Sequence, residues 1–161
     1  MSEWTNFFVG ELGAAAALAG LLFVAVSVNQ ARILSLDRMA DRGLEALGML
    51  FMVLIVTSLA LVPGQPLRLL GLEVFAIATA VLAATLVLQR AYLSTLAPEH
   101  FRASLNTVRV SRTAVGLIAL SGLTLLLSGS VAGLYVMAPG ILLCFIAAGI
   151  NSWVLMIEIN R

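Results

Sequence analysis

The sequence predicts an all-α membrane protein, a bundle of about five transmembrane helices that forms a single domain over residues 1–161. Hydrophobic residues make up 61% of the chain and charged residues only 11%, and the mean hydropathy is +1.09. Soluble domains carry about 25% charged residues, and a soluble chain of this size leaves much of its surface in water. The composition therefore excludes a soluble enzyme and a disordered tail. The net charge of +1 provides no field for nucleic acid, so no nucleic-acid partner is expected.

Four uncharged runs set the number of spans. They contain 20, 22, 16 and 45 residues, and they are Leu12–Ala31, Ala46–Leu67, Val74–Gln89 and Thr113–Ile157. A hydrocarbon core of about 30 Å requires about 20 helical residues, so the first three runs fit one helix each and the fourth fits two. The predicted spans are residues 7–28, 44–62, 67–88, 110–127 and 131–157.

Glycine and proline mark the turns between these spans. The longest run can fold back at Ser128-Gly129-Ser130 or at Pro139-Gly140, and the first break is favoured because it leaves two helices that both cross the membrane. Pro139 then kinks the fifth span. The Pro63-Gly64-Gln65-Pro66 segment predicts a tight turn between the second and third spans.

The positions of the arginines predict the orientation. All nine basic residues are Arg, and basic residues concentrate in cytoplasmic loops. When the segments alternate sides, Arg68 stands alone on one side and the other side receives Arg32, Arg38, Arg42, Arg90, Arg102, Arg109, Arg112 and Arg161. The N-terminus is therefore expected outside and the C-terminus in the cytoplasm of a multi-pass inner-membrane protein. Four aromatic residues are expected at the outer boundary, namely Trp4, Phe7, Phe8 and Tyr135.

Two acidic residues fall within the predicted spans, where a carboxylate is unfavourable unless it is paired or hydrated. Glu11 and Glu73 lie at similar depth in the outer third of the membrane, and contact between their helices would bring them together. This arrangement predicts a site for cations or protons, in one chain or at the axis of an oligomer. Two structural alternatives exist: Arg68 pairs with one of the acids, or Glu11 reaches water directly.

Small residues next to these acids predict close helix packing. Glu11 lies beside a face formed by Gly10, Gly13, Ala14 and Ala17, which is expected to be buried against another helix. Glu73 begins a stripe formed by Ala76, Ala80, Ala83 and Ala84. Both acids are therefore expected to face protein, and a homo-oligomer is the expected assembly.

Polar residues elsewhere suggest two further roles. Ser121, Thr124 and Asn151 are candidate lining residues of a polar path, although such side chains more often join helices by hydrogen bonds. Arg102, Arg109 and Arg112 in the second cytoplasmic connector are candidate contacts for anionic lipid headgroups or a protein partner. The ordinary charge bias of cytoplasmic loops explains the same arginines.

Residues that support catalysis are nearly absent. The chain has one cysteine, Cys144, and one histidine, His100, so neither a Cys-based zinc site nor a multi-histidine site can form. No catalytic residue, metal site or cofactor is expected, and the protein is not expected to be an enzyme. The run from Ala17 to Ser27 has the look of small bacterial inner-membrane proteins and carries no family motif.

Two functional hypotheses follow from the sequence. The first is a homo-oligomeric pore or carrier for ions or a small solute, with Glu73 as the leading site residue. The second is a non-conducting accessory or scaffold subunit, which docks partners or anionic lipid through its arginine-rich connectors. Membrane lipids are partners in either case.

Overall fold

A computed structural model of the chain describes residues 2–35, 39–93 and 98–159. These residues form six α-helices and contain no strand, and the helices are α1 (Ser2–Val28), α2 (Gln30–Ser35), α3 (Met39–Ala60), α4 (Leu67–Leu93), α5 (Pro98–Ser128) and α6 (Ala132–Ile159). All except α2 are long and apolar enough to cross a membrane. The architecture is an all-helical bundle with five candidate spans, as the composition predicts.

The turns lie where glycine and proline predict them. The chain reverses between α5 and α6 at Gly129, which has a φ of +63°, and Pro139 lies inside α6. Gly64, with a φ of +73°, forms the turn between α3 and α4. Both glycines occupy the left-handed region of backbone space, which other residues rarely adopt. We call the end of the bundle that holds these two turns the outer end, and the opposite end, next to α2, the inner end.

Three helices form the densest part of the bundle. The α5 helix packs along both α4 and α6, while α3 fills the other side against α1, α4 and α6. Where α4 crosses α5, their backbones touch at Gly71 and Gly122: a Cβ atom on Gly122 would lie 2.5 Å from the backbone nitrogen of Phe75, and one on Gly71 would overlap the backbone of Leu126. Small residues allow such close approach in helix pairs that have no hydrophobic driving force between them.

Aromatic rings join α1 to α6 at the outer end. The ring of Trp4 lies 4.9 Å from that of Tyr135 in an edge-to-face contact, and it also contacts Phe7 and Phe8. Edge-to-face and offset arrangements are the favoured geometries of aromatic pairs. The four residues expected at one boundary of the membrane thus lie at the same end of the bundle.

The small-residue face of α1 is not buried within the single chain. Gly10, Gly13, Ala14 and Ala17 are exposed in the single chain, and nothing lies within 4 Å of a Cβ atom placed on either glycine. The buried residues of α1 are instead Phe8, Ala15, Ala19 and Leu22. Three of these recur every seven residues, which is the spacing of a helix–helix seam, and α3 lies against it. The buried face of α1 is therefore the one that meets the apolar surface of α3, and small residue size alone does not predict which face is buried.

The alanine stripe of α4 is also exposed. Ala76, Ala80, Ala83 and Ala84 face away from the rest of the chain, whereas Leu70, Val74 and Ala78 are buried. Burial of either small-residue face therefore requires something outside the single chain.

Candidate functional site

The two acids predicted as an ion site lie apart in the bundle. Glu73 is half-buried at the outer end and accepts a hydrogen bond from the side-chain nitrogen of Gln65. Glu11 is also half-buried, on α1. Since α1 packs mainly on α3, and α4 packs on α5 and α3, no extensive contact between α1 and α4 joins the two carboxylates.

Arg68 does not neutralise either acid within the described part of the chain. Its side chain is exposed and lies along the turn at Gly129, where an added Cβ atom would meet its Nε at 3.2 Å. Neither Glu11 nor Glu73 forms an ion pair with it among the described residues. Arg68 therefore covers the turn between α5 and α6.

The hydroxyl groups predicted to line a polar path bond to backbone. The Ser121 hydroxyl of α5 donates to the carbonyl oxygen of Gly133 in α6 at 2.8 Å, and Thr124 donates to the Ser121 carbonyl oxygen at 2.7 Å. Ser121 therefore joins two helices, which is the common role of such residues in membrane bundles.

A second group of polar side chains lies buried in the inner half of the bundle. Gln89 of α4 donates from Nε2 to Oε1 of Glu45 in α3 at 2.8 Å. Arg112 of α5 donates from Nε to Oε1 of the same glutamine at 2.7 Å. Gln89 is fully buried and Glu45 is 3% exposed, while Arg112 is exposed. A hydrogen-bonded chain thus runs from the surface at α5 to a buried carboxylate on α3.

Several buried side-chain atoms have no hydrogen-bond partner among the described residues. Four of them are Oε2 of Glu45, Oγ of Ser111, and both Oδ1 and Nδ2 of Asn151, and a fifth, Oε1 of Gln65, lies at the outer end. Ser111 and Asn151 are fully buried. The great majority of buried polar side-chain atoms in proteins are paired with protein or ordered water, so each of these atoms requires an explanation.

The helix registers place the groups of the inner half at a similar depth. In the antiparallel pair α5–α6, Gly133 lies against Leu125 and Gly140 against Ile118. Continuing this register inward brings Asn151 to the level of Thr107, about one helical turn, roughly 5 Å, from the level of Ser111. Thr107 is itself buried.

The hydrogen bond between Gln89 and Arg112 brings the α4 side to the same level, and Thr85 is buried one turn above Gln89. Arg42 is buried one turn before Glu45 on α3 and has an interaction of its own. We call the group formed by Glu45, Thr85, Gln89, Thr107, Ser111, Arg112 and Asn151 the inner polar cluster.

The chemistry of this cluster suits a proton, water or a small monovalent cation. It combines one carboxylate with amide and hydroxyl groups, and the free atoms include acceptors on Glu45 and Asn151 and a donor on Asn151. A buried water commonly makes about three hydrogen bonds to polar groups that lack other partners. A proton on the free carboxylate oxygen would turn that atom into a donor.

The sequence interpretation missed Glu45 and Gln89 because each lies at the edge of an uncharged run. Glu45 lies directly before the run that begins at Ala46, close to Asp41 and Arg42, and Gln89 is the last residue of the run before Arg90. One signal was available: Val74, Ala78 and Thr85 lead to Gln89 at helical spacing, so the glutamine continues the buried face of α4.

The other residues named in the sequence analysis lie in different parts of the structure. Arg109 is exposed at the inner end, and Arg112 donates to Gln89. The side chains of Arg102 and His100 lie outside the described residues. Cys144 is fully buried in the core of α6. Within the described part of the chain, no group of three or more His, Cys, Asp or Glu residues is placed to hold a metal ion.

No protein-family model, curated protein or solved structure matches this chain.

Proposed function

We propose that the protein is a multi-pass inner-membrane carrier for protons or a small monovalent cation, and that the inner polar cluster is its binding site. The proposal keeps the function class that the sequence predicts and moves the site from the outer acids to Glu45. The free oxygen of this buried carboxylate is the observation that carries it.

The physical argument concerns the unpaired atoms. Leaving a buried polar atom without a partner costs about 1–3 kcal/mol, and the cost is larger for a charged group. Helix packing alone does not explain several such atoms at one level of the bundle. A site that accepts and releases a small ligand requires them, because the ligand supplies the missing partner when it is bound.

The surroundings of Glu45 also support exchange with the inner side. Arg112 is exposed, and its hydrogen bond to Gln89 links the surface to the buried carboxylate. Ionisable residues within membrane spans commonly mark ion pathways and proton relays. Glu73 also accepts a hydrogen bond from a glutamine, Gln65, but it is only half-buried, whereas Glu45 is buried and keeps one oxygen without a partner, so Glu73 is the weaker candidate.

The test compares two charge-neutralising variants in sealed liposomes. Glu45→Gln keeps the shape of the side chain and removes its ability to exchange a proton, and Glu73→Gln makes the same change at the outer end. Proton uptake is followed with an internal pH-sensitive dye under an imposed potassium diffusion potential, and the uptake of sodium is measured in parallel.

Wild-type protein and Glu73→Gln are expected to transport at similar rates, while Glu45→Gln reduces the rate at least tenfold. Equal transport by all three proteins would overturn the assignment of the site. Loss of transport in Glu73→Gln alone would restore the outer site. Thermal unfolding in detergent shows whether each variant remains folded.

The orientation and the oligomer are parts of the same proposal. The arginine distribution supports an outer N-terminus and a cytoplasmic C-terminus. A reporter fused after Arg161 is expected in the cytoplasm, and one inserted at Ser130 is expected outside. The exposed small-residue faces of α1 and α4 are the surfaces on which a second copy would pack.

A scaffold or accessory subunit is the second candidate function. Arg109 favours it, because this arginine is exposed at the inner end and could contact an acidic partner or anionic lipid. Wild-type protein that is folded, inserted and inactive in both flux assays would favour this function over the carrier.

A further inference from the structure

An apolar groove separates α1 from α6 in the inner half of the bundle. The two helices touch at the outer end through Trp4 and Tyr135. They diverge toward the inner end, where a cavity of about 340 Å³ opens between them. Leu50 of α3 and Phe145 of α6 are among the residues that line it.

The length of the groove corresponds to one leaflet of a bilayer. Its wall on α1 runs from Leu18 to Asn29, and its wall on α6 runs from Phe145 to Met156. At 1.5 Å per residue each wall is about 16 Å long. Half of a hydrocarbon core of about 30 Å has the same length.

Polarity changes along the groove in the same sense as along a lipid molecule. The wall on α1 is apolar up to its inner end, where Asn29 lies, and Ser152 interrupts the apolar wall on α6 one turn before its inner end. Arg32 is exposed on α2, within one helical turn of Asn29. The groove thus ends on the α1 side at a polar side chain and a cation, as an acyl chain ends at an anionic headgroup.

From this geometry we propose that the groove holds one acyl chain of an anionic phospholipid, whose headgroup lies at Arg32. The site is distinct from the inner polar cluster, which lies among α3, α4, α5 and α6. It is also distinct from Arg102, Arg109 and Arg112 of the second connector, because its specificity comes from an intramembrane groove and from one cation on α2. The bound chain fills the space that would otherwise weaken the contact between α1 and α6.

Two glycines provide a matched pair of variants. Gly149 lines the groove and Gly20 lies on the exposed surface of α1, and nothing lies within 4 Å of a Cβ atom placed on either one. Gly149→Leu fills the groove, whereas Gly20→Leu adds the same side chain outside it. Both changes raise helix propensity by a similar amount. Ala25→Phe fills the groove from the α1 side and serves as a second variant.

The experiment uses full-length protein in vesicles of phosphatidylcholine and phosphatidylglycerol at three to one. Either lipid carries a photoactivatable diazirine in its acyl chain, and labelled residues are located by mass spectrometry. In wild-type protein, labelling of Leu21 and Ala25 is expected to exceed that of Val87, an exposed residue of α4, severalfold. Gly149→Leu abolishes this excess and Gly20→Leu retains it, and Ala25→Phe abolishes the excess at Leu21.

The headgroup is tested in the same vesicles. Phosphatidylglycerol is expected to label the groove about fivefold more than phosphatidylcholine, because one arginine near a membrane surface contributes about 1 kcal/mol, and Arg32→Gln removes the preference. Equal labelling of Ala25 and Val87 in wild-type protein would overturn the proposal. Cross-links between two copies through Leu21, without lipid labelling, would assign the groove to a second copy and also overturn it.

Discussion

The helices contact one another differently in the outer and inner halves of this bundle. In the outer half, Gly71 and Gly122 let two backbones touch, and Ser121 donates to a backbone carbonyl across α5 and α6. In the inner half, polar side chains of α3, α4 and α5 bond to one another through Gln89. Four of the five buried side-chain atoms without partners among the described residues lie in the inner half, and the fifth, Oε1 of Gln65, lies at the outer end.

In the proposed carrier, this difference corresponds to separate roles for the two halves of the bundle. Close backbone contact leaves no space for water or a ligand, and every polar group in it must be satisfied by the neighbouring helix. A polar cluster with free atoms is less favourable for stability and able to bind a ligand. We therefore expect variants in the outer half to change stability without changing transport, and variants in the inner half to change transport, with or without a loss of stability.

The largest effect is expected from adding one methyl group at the glycine crossing. Gly122→Ala places a Cβ atom 2.5 Å from the backbone of Phe75, so α4 and α5 must separate. Overpacking of this kind costs about 3 kcal/mol, and the variant is expected to unfold at a much lower temperature in detergent.

The control for this change is Gly116→Ala on the same helix, where nothing lies within 4 Å of the added atom. It is expected to leave the unfolding temperature unchanged or to raise it slightly, because alanine is the better helix former. Equal unfolding temperatures for the two variants would mean that the backbones do not touch at Gly122.

A smaller effect is expected from removing one glutamine at each end. Gln89→Leu leaves Oε1 of Glu45 and Nε of Arg112 without their partner, which costs about 1–3 kcal/mol. Gln65→Leu removes the donor to Glu73, but that carboxylate is half-buried and can turn to water. When both variants are measured in the same detergent, Gln89→Leu is expected to have the lower free energy of unfolding. The reverse order would place the structural polar contact at the outer end.

The sequence predicted the helices better than their faces. Span number, turns and the continuation of α6 through Pro139 follow from apolar run length and from glycine and proline, which act locally. Which side of α1 is buried depends on α3, and no local rule distinguishes Ala15 from Ala14. Small residues at a real crossing, such as Gly122, look the same in sequence as exposed ones such as Gly13.

The candidate site shows the same limit. Asn151 was identified as a polar residue in an apolar run, and it is fully buried. Glu45 and Gln89 are 44 residues apart, and only the packing of α3 against α4 brings them into contact. A carboxylate at the end of an uncharged run looks like an interfacial residue until the tertiary structure shows that other helices cover it.

A variant of Asn151 can distinguish an effect on stability from an effect on transport. Its side-chain atoms have no hydrogen-bond partner among the described residues, so Asn151→Leu removes an unsatisfied group from a buried position. Replacing such a group by an apolar side chain of similar size is nearly neutral or stabilising. If the amide binds the transported ion or its water, the variant is expected to unfold at the same or a higher temperature and to transport more slowly. An Asn151→Leu protein that is less stable and fully active would show that the amide is structural.

The smallest effect on stability is expected at Gly13, on the exposed small-residue face of α1. Gly13→Leu meets no atom of its own chain, so the free energy of unfolding is expected to stay the same or to rise by up to about 1 kcal/mol, because leucine is the better helix former. Ala15→Leu, two residues along the same helix and fully buried, is expected to destabilise the protein by overpacking.

Sedimentation of both variants in mild detergent then reports on assembly: a smaller particle for Gly13→Leu alone would mean that a second copy packs on this face. A loss of stability in Gly13→Leu equal to that in Ala15→Leu would mean that α1 buries a different face from the one described, and the comparison of the two halves would need a different position for this helix.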